Sequence, residues 1–228
     1  MLFQPGARFG GLPREGFDVF GLRNDNERRR EIIDAFHPAL ELLAEDLLAR
    51  LNQKATVDLH HHLPRLDWPR GYRPFCTWLA LSREAHGYQA GAQLNVGVHA
   101  DHVSIRLGWD TSADLFGRFE FLARHGVIGE ELQRVASEQQ LAFRVFAAAP
   151  WPQGSKCVFE SDNGLRGSLD QLWRHGVWWE VGRRHDVPAE LEHICSPALG
   201  EEATEILRAL LPVYERIAGT LPEEPDGD

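Results

Sequence analysis

The stretch Gln93-Leu-Asn-Val-Gly-Val-His-Ala-Asp-His-Val-Ser-Ile-Arg-Leu-Gly108 decides the fold. Leu94, Val96 and Val98 alternate with Gln93, Asn95 and Gly97, and Val103, Ile105 and Leu107 alternate with Ser104, Arg106 and Gly108. A period of two marks a strand with unlike faces, so the stretch reads as two antiparallel strands. Their apolar faces must coincide, because a slip of one residue turns every side chain over. That sets Val98 against Val103, Val96 against Ile105 and Leu94 against Leu107. On the polar side it sets Asn95 against Arg106. Ala100-Asp101 suits the positive-φ geometry of a two-residue turn poorly, so the four residues His99 to His102 are expected to connect the strands.

Working outward, Phe75 to Ser82, Ala142 to Ala148, Lys156 to Ser161 and Val177 to Arg183 also read as strands. Helices are expected where apolar residues recur every three or four positions. Ile32, Ile33, Phe36, Leu40, Leu43, Leu47 and Leu51 form one such stripe. Asp25 or Asn26 would cap it, and Pro38 would kink or divide it. Its other face, with Arg28, Arg29, Arg30 and Glu31, reads as solvated. Further helices are expected from Asp110 to His125, from Glu130 to Gln139, behind a Ser168 cap, and from Gly200 to Ile217. Residues 60–73, interrupted by Pro64, Pro69 and Gly71, read as irregular. Trp178-Trp179 reads as one core aromatic and one half-exposed. Strands in hairpin groups, without strict βαβ alternation, predict an α+β fold: a mainly antiparallel sheet flanked by helices, with a hint of two similar halves. Residues 1–16 read as an irregular lead-in, 17–219 as one domain and 220–228 as an acidic disordered tail.

Composition narrows the function classes. The 228 residues carry a formal charge of −10, which opposes binding to phosphate backbones except through a local basic patch. Residues 60–107 are such a local exception, with five Arg against Asp67, Glu84 and Asp101. Three cysteines without CxxC spacing indicate neither a disulfide framework nor a local zinc motif, and no apolar run reaches the length of a membrane span. A cytoplasmic protein is expected. There is no Walker A loop, GxGxxG or GxSxG, so no cofactor is expected.

Six of the eleven histidines, His60, His61, His62, His86, His99 and His102, fall within residues 60–107. Imidazole is the commonest metal ligand, and His99-x-x-His102 is the best-spaced pair. Without a signature such as HExxH the expectation is no metal, with His99 and His102 as the residues to examine. The hairpin's polar face, Gln93, Asn95, Ser104 and Arg106, offers amides and a guanidinium to a ligand. Alternation alone also predicts such a face wherever one side of an antiparallel sheet meets water. Glu160, Asp162 and Glu180 could serve a metal-dependent nuclease, but the companion lysine is missing. Cys76, inside an apolar strand, reads as inert core.

Phe17-x-Val19-Phe20-x-Leu22, the arginine-rich helix with Pro38, Trp78-Leu-Ala80, Gly87-Tyr88, Asn95-x-Gly97 and His102-Val103 resemble the YktB-like family of uncharacterised bacterial proteins. The nine-residue interval from Trp78 to Gly87 and the five-residue interval from Gly97 to His102 match that family's spacing. Asn95 stands where the family has Gln, and His62-Leu-Pro-Arg65 departs from its His-Ala-Arg-Arg. The resemblance implies a cytoplasmic α+β domain and brings no reaction. The functional reading is a small-ligand binding protein or small enzyme, with His62, Arg65, Trp78, Asn95, His102 and Arg106 lining a pocket suited to a small anion. Two alternatives are a protein interaction module using a strand face or edge, and nucleic-acid binding through Arg65, Arg70, Arg73, Arg83 and Arg106 with Trp68 and Tyr72.

Overall fold

The computed structural model describes residues 8–65, 74–86, 91–110, 116–147, 157–162, 164–175 and 178–218. A 3-10 helix, Arg14–Gly21, leads into helix α1, Asp25–Leu51. Strands β1 (His60–His62), β2 (Cys76–Ser82), β3 (Gln93–His99) and β4 (His102–Asp110) follow. Helices α2 (Phe116–His125) and α3 (Val127–Glu138) precede β5 (Ala142–Phe146) and β6 (Cys157–Ser161). Helix α4 (Leu165–His175), β7 (Trp178–Asp186), α5 (Val187–Ile194) and α6 (Pro197–Ala218) complete the described chain.

The fold is α+β. Among the described residues, seven strands form one sheet in the order β1-β2-β3-β4-β7-β5-β6, and every pairing is antiparallel. The central hairpin has the register that alternation requires, with Val98 opposite Val103, Leu94 opposite Leu107 and Asn95 opposite Arg106. His99 and His102 lie beyond the last pair of that ladder and face outward neighbours instead, Cys76 and Asp186. Leu79, Val96, Ile105, Phe143, Trp179 and Val181 from one sheet face form a single core with Leu40 and Leu47 of α1 and Leu207 and Tyr214 of α6.

Helix α1 forms because six of its stripe residues, Ile32, Phe36, Leu40, Leu43, Leu47 and Leu51, are fully buried. That burial carries the helix through Pro38 without a break; an interior proline costs about 3 kcal/mol, whereas each large apolar side chain gains about 1.5–3 kcal/mol. The cap is Asn24, one residue before those expected, and its Oδ1 accepts from the backbone N–H of Asn26 (3.0 Å) and Glu27 (3.1 Å). Arg28 is fully buried rather than solvated, with Nη1 3.0 Å from Asp25 Oδ1.

Other differences have equally local causes. His60 to His62, read as irregular, is an edge strand paired with β2. Ser168 lies inside α4 rather than at its cap; its Oγ donates to Leu165 O at 2.7 Å and accepts from Trp179 Nε1 at 2.9 Å. Trp178 and Trp179 are both buried, on opposite faces of β7. Within the N-terminal stretch, Phe9 and Leu12 belong to the core. Gly11 between them has φ +111°, and a Cβ there would lie 2.2 Å from the carbonyl carbon of Cys195. The expected tail and the Gly87-Tyr88 pair lie outside the described residues. Among the described residues no helix is long and apolar enough to cross a membrane.

Candidate functional site

Because the register is defined throughout, the sheet face opposite the helices can be read across in rows. One row runs His62, Ala80, Asn95, Arg106, Gly182, Ala142. Beside it lies Trp78, Gly97, Ser104, Arg184, and on the other side Gln93, Gly108, Glu180, Arg144, Glu160. This face carries the polar half of each alternation, yet it is buried: Asn95 is 1% exposed, Ser104 2%, Arg106 1% and His99 5%. The water-wetted face that alternation alone would allow is therefore not what forms.

Charges on this face are arranged around Glu180. Arg106 Nη1 donates to Glu180 Oε2 at 2.9 Å, and Trp178 Nε1 donates to the same oxygen at 3.0 Å. Arg144 Nε donates to Glu160 Oε1 at 2.7 Å, while its Nη1 stands 3.9 Å from Glu180 Oε1. Glu160 and Glu180 thus face arginines, which is a poor arrangement for the nuclease-type metal centre that their spacing allowed. Cys76 is buried, and burial pushes its thiol up to about 12, so it is an inert core residue.

At the other end, His99 and His102 stack with ring centroids 4.1 Å apart and planes 8° apart. Arg184 Nη2 lies 2.7 Å from His102 Nδ1. Burial, then Arg184 and Arg106, push His102 down to about 2. Burial, then His102 and Arg106, hold His99 well below its ordinary value. Both rings are neutral at pH 7. Asp101, largely exposed, closes the rim, 2.6 Å from His102 Nδ1 and 3.6 Å from Arg184. Three arginines facing this pair make it a hostile place for a cation.

The centre of the face is Gly97. A Cβ there would lie 2.8 Å from Ser104 Oγ, 3.1 Å from Arg106 Nη2 and 3.2 Å from His99 Nε2. Three polar tips therefore converge on Gly97, closer than an added side chain would ordinarily allow. Among the described residues, both amide atoms of Asn95, Ser104 Oγ and His99 Nε2 are buried without a hydrogen-bond partner. Each such atom costs about 1–3 kcal/mol. Together they cost on the order of 4–12 kcal/mol, comparable to the whole stability of a domain.

Of the residues singled out from the sequence, Trp78, Asn95, His102 and Arg106 lie on this face together. His62 shares the row of Asn95 but is three strands from Arg106, roughly 14 Å at ~4.8 Å per strand. Its Nε2 contacts Ser82 Oγ (3.1 Å) and Glu84 O (2.8 Å). Arg65 is exposed beyond β1. The sequence reading missed the part played by Arg144, Glu180 and Arg184, although the alternation of Trp178, Glu180, Gly182 and Arg184 carried the signal. Arg70, Arg73, Trp68 and Tyr72 lie outside the described residues, and Arg106 is buried. A second constellation, His185, His193 and Glu202, sits on the helix side of the sheet, from three elements spaced too irregularly to form a motif.

Residues 13–114 match the family model described as a domain of unknown function, DUF1054. The matched stretch spans α1 to β4, so it includes Trp78, Asn95, Gly97, His99, Ser104 and Arg106 but none of β5, β6 or β7. No curated protein matches the chain.

Proposed function

We propose that the polar sheet face centred on Gly97 binds a small anion with a head the size of a carboxylate. The observation that carries this reading is the convergence of partnerless buried donors and acceptors, Asn95, Ser104 and His99, beside a buried guanidinium. A ligand that accepts from Asn95 Nδ2 and Ser104 Oγ offsets a desolvation cost that the protein otherwise bears alone. Charge supports an anion. The Arg106 and Arg144 side chains are 2% and 6% exposed, against a single buried carboxylate among the described residues of this face, Glu180, at 2%. Glu160 and Asp101 are 49% and 75% exposed and screened by water, which leaves a net positive charge in the buried part. Trp78, Asn95-x-Gly97 and His102-Val103, which carry the resemblance to the YktB-like family, are the β2 to β4 share of this site. The proposal therefore extends to relatives of that kind. It is a binding function, and no residue is assigned a bond-making role.

Thermal unfolding in formate, acetate or phosphate against chloride at matched ionic strength tests it. A ligand at 100 times its Kd adds about 2.7 kcal/mol, or roughly 5–10 °C in a domain of this size. Gly97→Ala is expected to fold, because flexible side-chain ends can yield to the added methyl, and to lose the shift. Absence of any saturable shift, together with no small acid retained in native mass spectrometry of the purified protein, would refute the reading.

A further inference from the structure

On the helix side of the sheet, three side chains from three successive elements meet at one point. His185 is near the end of β7, His193 near the end of α5 and Glu202 in the second turn of α6. His193 Nε2 lies 2.6 Å and His185 Nε2 3.1 Å from the same oxygen, Glu202 Oε2. The two rings are tilted by 39° with centroids 4.9 Å apart. From this geometry we propose that His185, His193 and Glu202 form a binding site for a divalent metal ion of the zinc class.

The hydrogen bonds behind these atoms favour a metal over a simple polar cluster. His185 Nδ1 lies 2.7 Å from Glu190 Oε2, and a carboxylate can only accept, so that nitrogen carries the proton. In the neutral ring Nε2 then bears a lone pair. The side chain is 5% exposed, yet Nε2 makes no hydrogen bond and faces another acceptor, Glu202 Oε2. Two acceptors held face to face in the interior call for a positive charge between them, a second ring proton or a metal ion, and the second histidine at the same oxygen supplies a further ligand for the metal. Zinc at ~2.0–2.1 Å from each ligand atom, with tetrahedral angles, would hold those atoms about 3.3 Å apart. The two spacings to Glu202 Oε2, 2.6 and 3.1 Å, reach that with movements below about 1 Å.

The outer partners also match a metal centre. Glu190 fixes the His185 ring and is itself held, its Oε1 accepting from the backbone N–H of Asp186 at 3.1 Å. Arg183 Nη1 donates to Glu202 Oε1, which leaves Oε2 for the ion. Glu202 Oε2 is the one oxygen that both histidines face. Such carboxylate–histidine pairing is a recurrent feature of metal sites. The His193 side chain is 33% exposed, which gives water access to a fourth coordination position. Two histidines and one carboxylate with an open position suit catalytic rather than purely structural zinc.

The test uses the full chain after chelator treatment, titrated with Zn2+ against a chromophoric competitor, with Co2+ substitution to report coordination. One equivalent should bind, and Co2+ should give the intense visible bands of four-coordination. His193→Ala, at the accessible corner, should fold and lose more affinity than Glu190→Gln, for which a loss of roughly 10–100-fold is expected. The exposed run His60 to His62 is the competing surface site, so His60→Ala with His61→Ala should leave the stoichiometric binding intact. Absence of binding in the wild type, or binding that survives His193→Ala and vanishes with the His60 and His61 changes, would overturn the proposal.

Discussion

Replacing Asn95 with leucine should stabilise the ligand-free protein. Both amide atoms of Asn95 are buried and lack partners, so the wild-type chain bears their desolvation without compensation. At about 1–3 kcal/mol per atom the two together cost roughly 2–6 kcal/mol, and leucine keeps the branching of the side chain without either polar atom. Allowing for imperfect packing of the replacement, a gain of about 2 kcal/mol is expected. This corresponds to a rise in Tm of roughly 4–8 °C. The measurement is urea unfolding in buffer free of carboxylates and phosphate, with an unchanged slope required as evidence that the denatured state is unaffected. Asn52 provides the control. Its Oδ1 accepts from Leu59 N at 3.2 Å, so Asn52→Leu breaks a made bond and should cost about 1 kcal/mol. The same Asn95→Leu protein should show no stabilisation by anions. If Asn95→Leu is instead destabilised in anion-free buffer, the amide is satisfied in the free protein, and the argument for a ligand at Gly97 fails.

Glu180→Gln should destabilise the protein by about 3 kcal/mol, or roughly 6–12 °C, because it removes the carboxylate that neutralises an arginine side chain only 2% exposed; an equilibrium unfolding curve within error of wild type would contradict this. His102 should make the protein acid-sensitive. Its folded value of about 2 lies below the ordinary 6.5, so its contribution is complete above pH 6.5 and falls by about 1.4 kcal/mol per unit as pH drops below that. His102→Asn should flatten the stability profile between pH 6.5 and 5 by that slope, and an unchanged slope would show that the ring is charged in the native state.

The central hairpin was legible because apolar alternation fixes which side chains share a face, and the face fixes the register. Nothing in that pattern says what lies over the other face. A buried Asn95 and a wetted Asn95 have the same sequence signature, and only three-dimensional burial separates them. Histidine density misled for a related reason. His60 to His62 are dense along the chain but lie on an edge strand, while His185, His193 and Glu202 are eight and nine residues apart and meet only because β7, α5 and α6 fold back on one another. Helix α5 had its own signal, Asp186 followed by Val187-Pro188, an acidic residue before a proline in the first turn, but strand alternation through Arg183 drew the reading away from it.

Strand β7 explains why two proposed sites of opposite charge preference coexist in so small a region. Glu180, Gly182 and Arg184 project to the polar face, while Arg183 and His185 project to the helix side. Alternation places consecutive residues in different environments: Arg184 binds the neutral His102, and His185 meets Glu202. The strand itself is held in tight contact with β4. A Cβ on Gly182 would lie 2.2 Å from Ile105 O and 2.6 Å from Arg106 Cβ, so no side chain fits there without parting the two strands. That close approach sets Arg106 opposite Gly182 and brings it within 2.9 Å of Glu180. The glycine therefore serves the site through backbone spacing, by letting one buried arginine be neutralised by its neighbour strand while Arg144 and Arg184 leave the face with the positive bias on which anion binding depends.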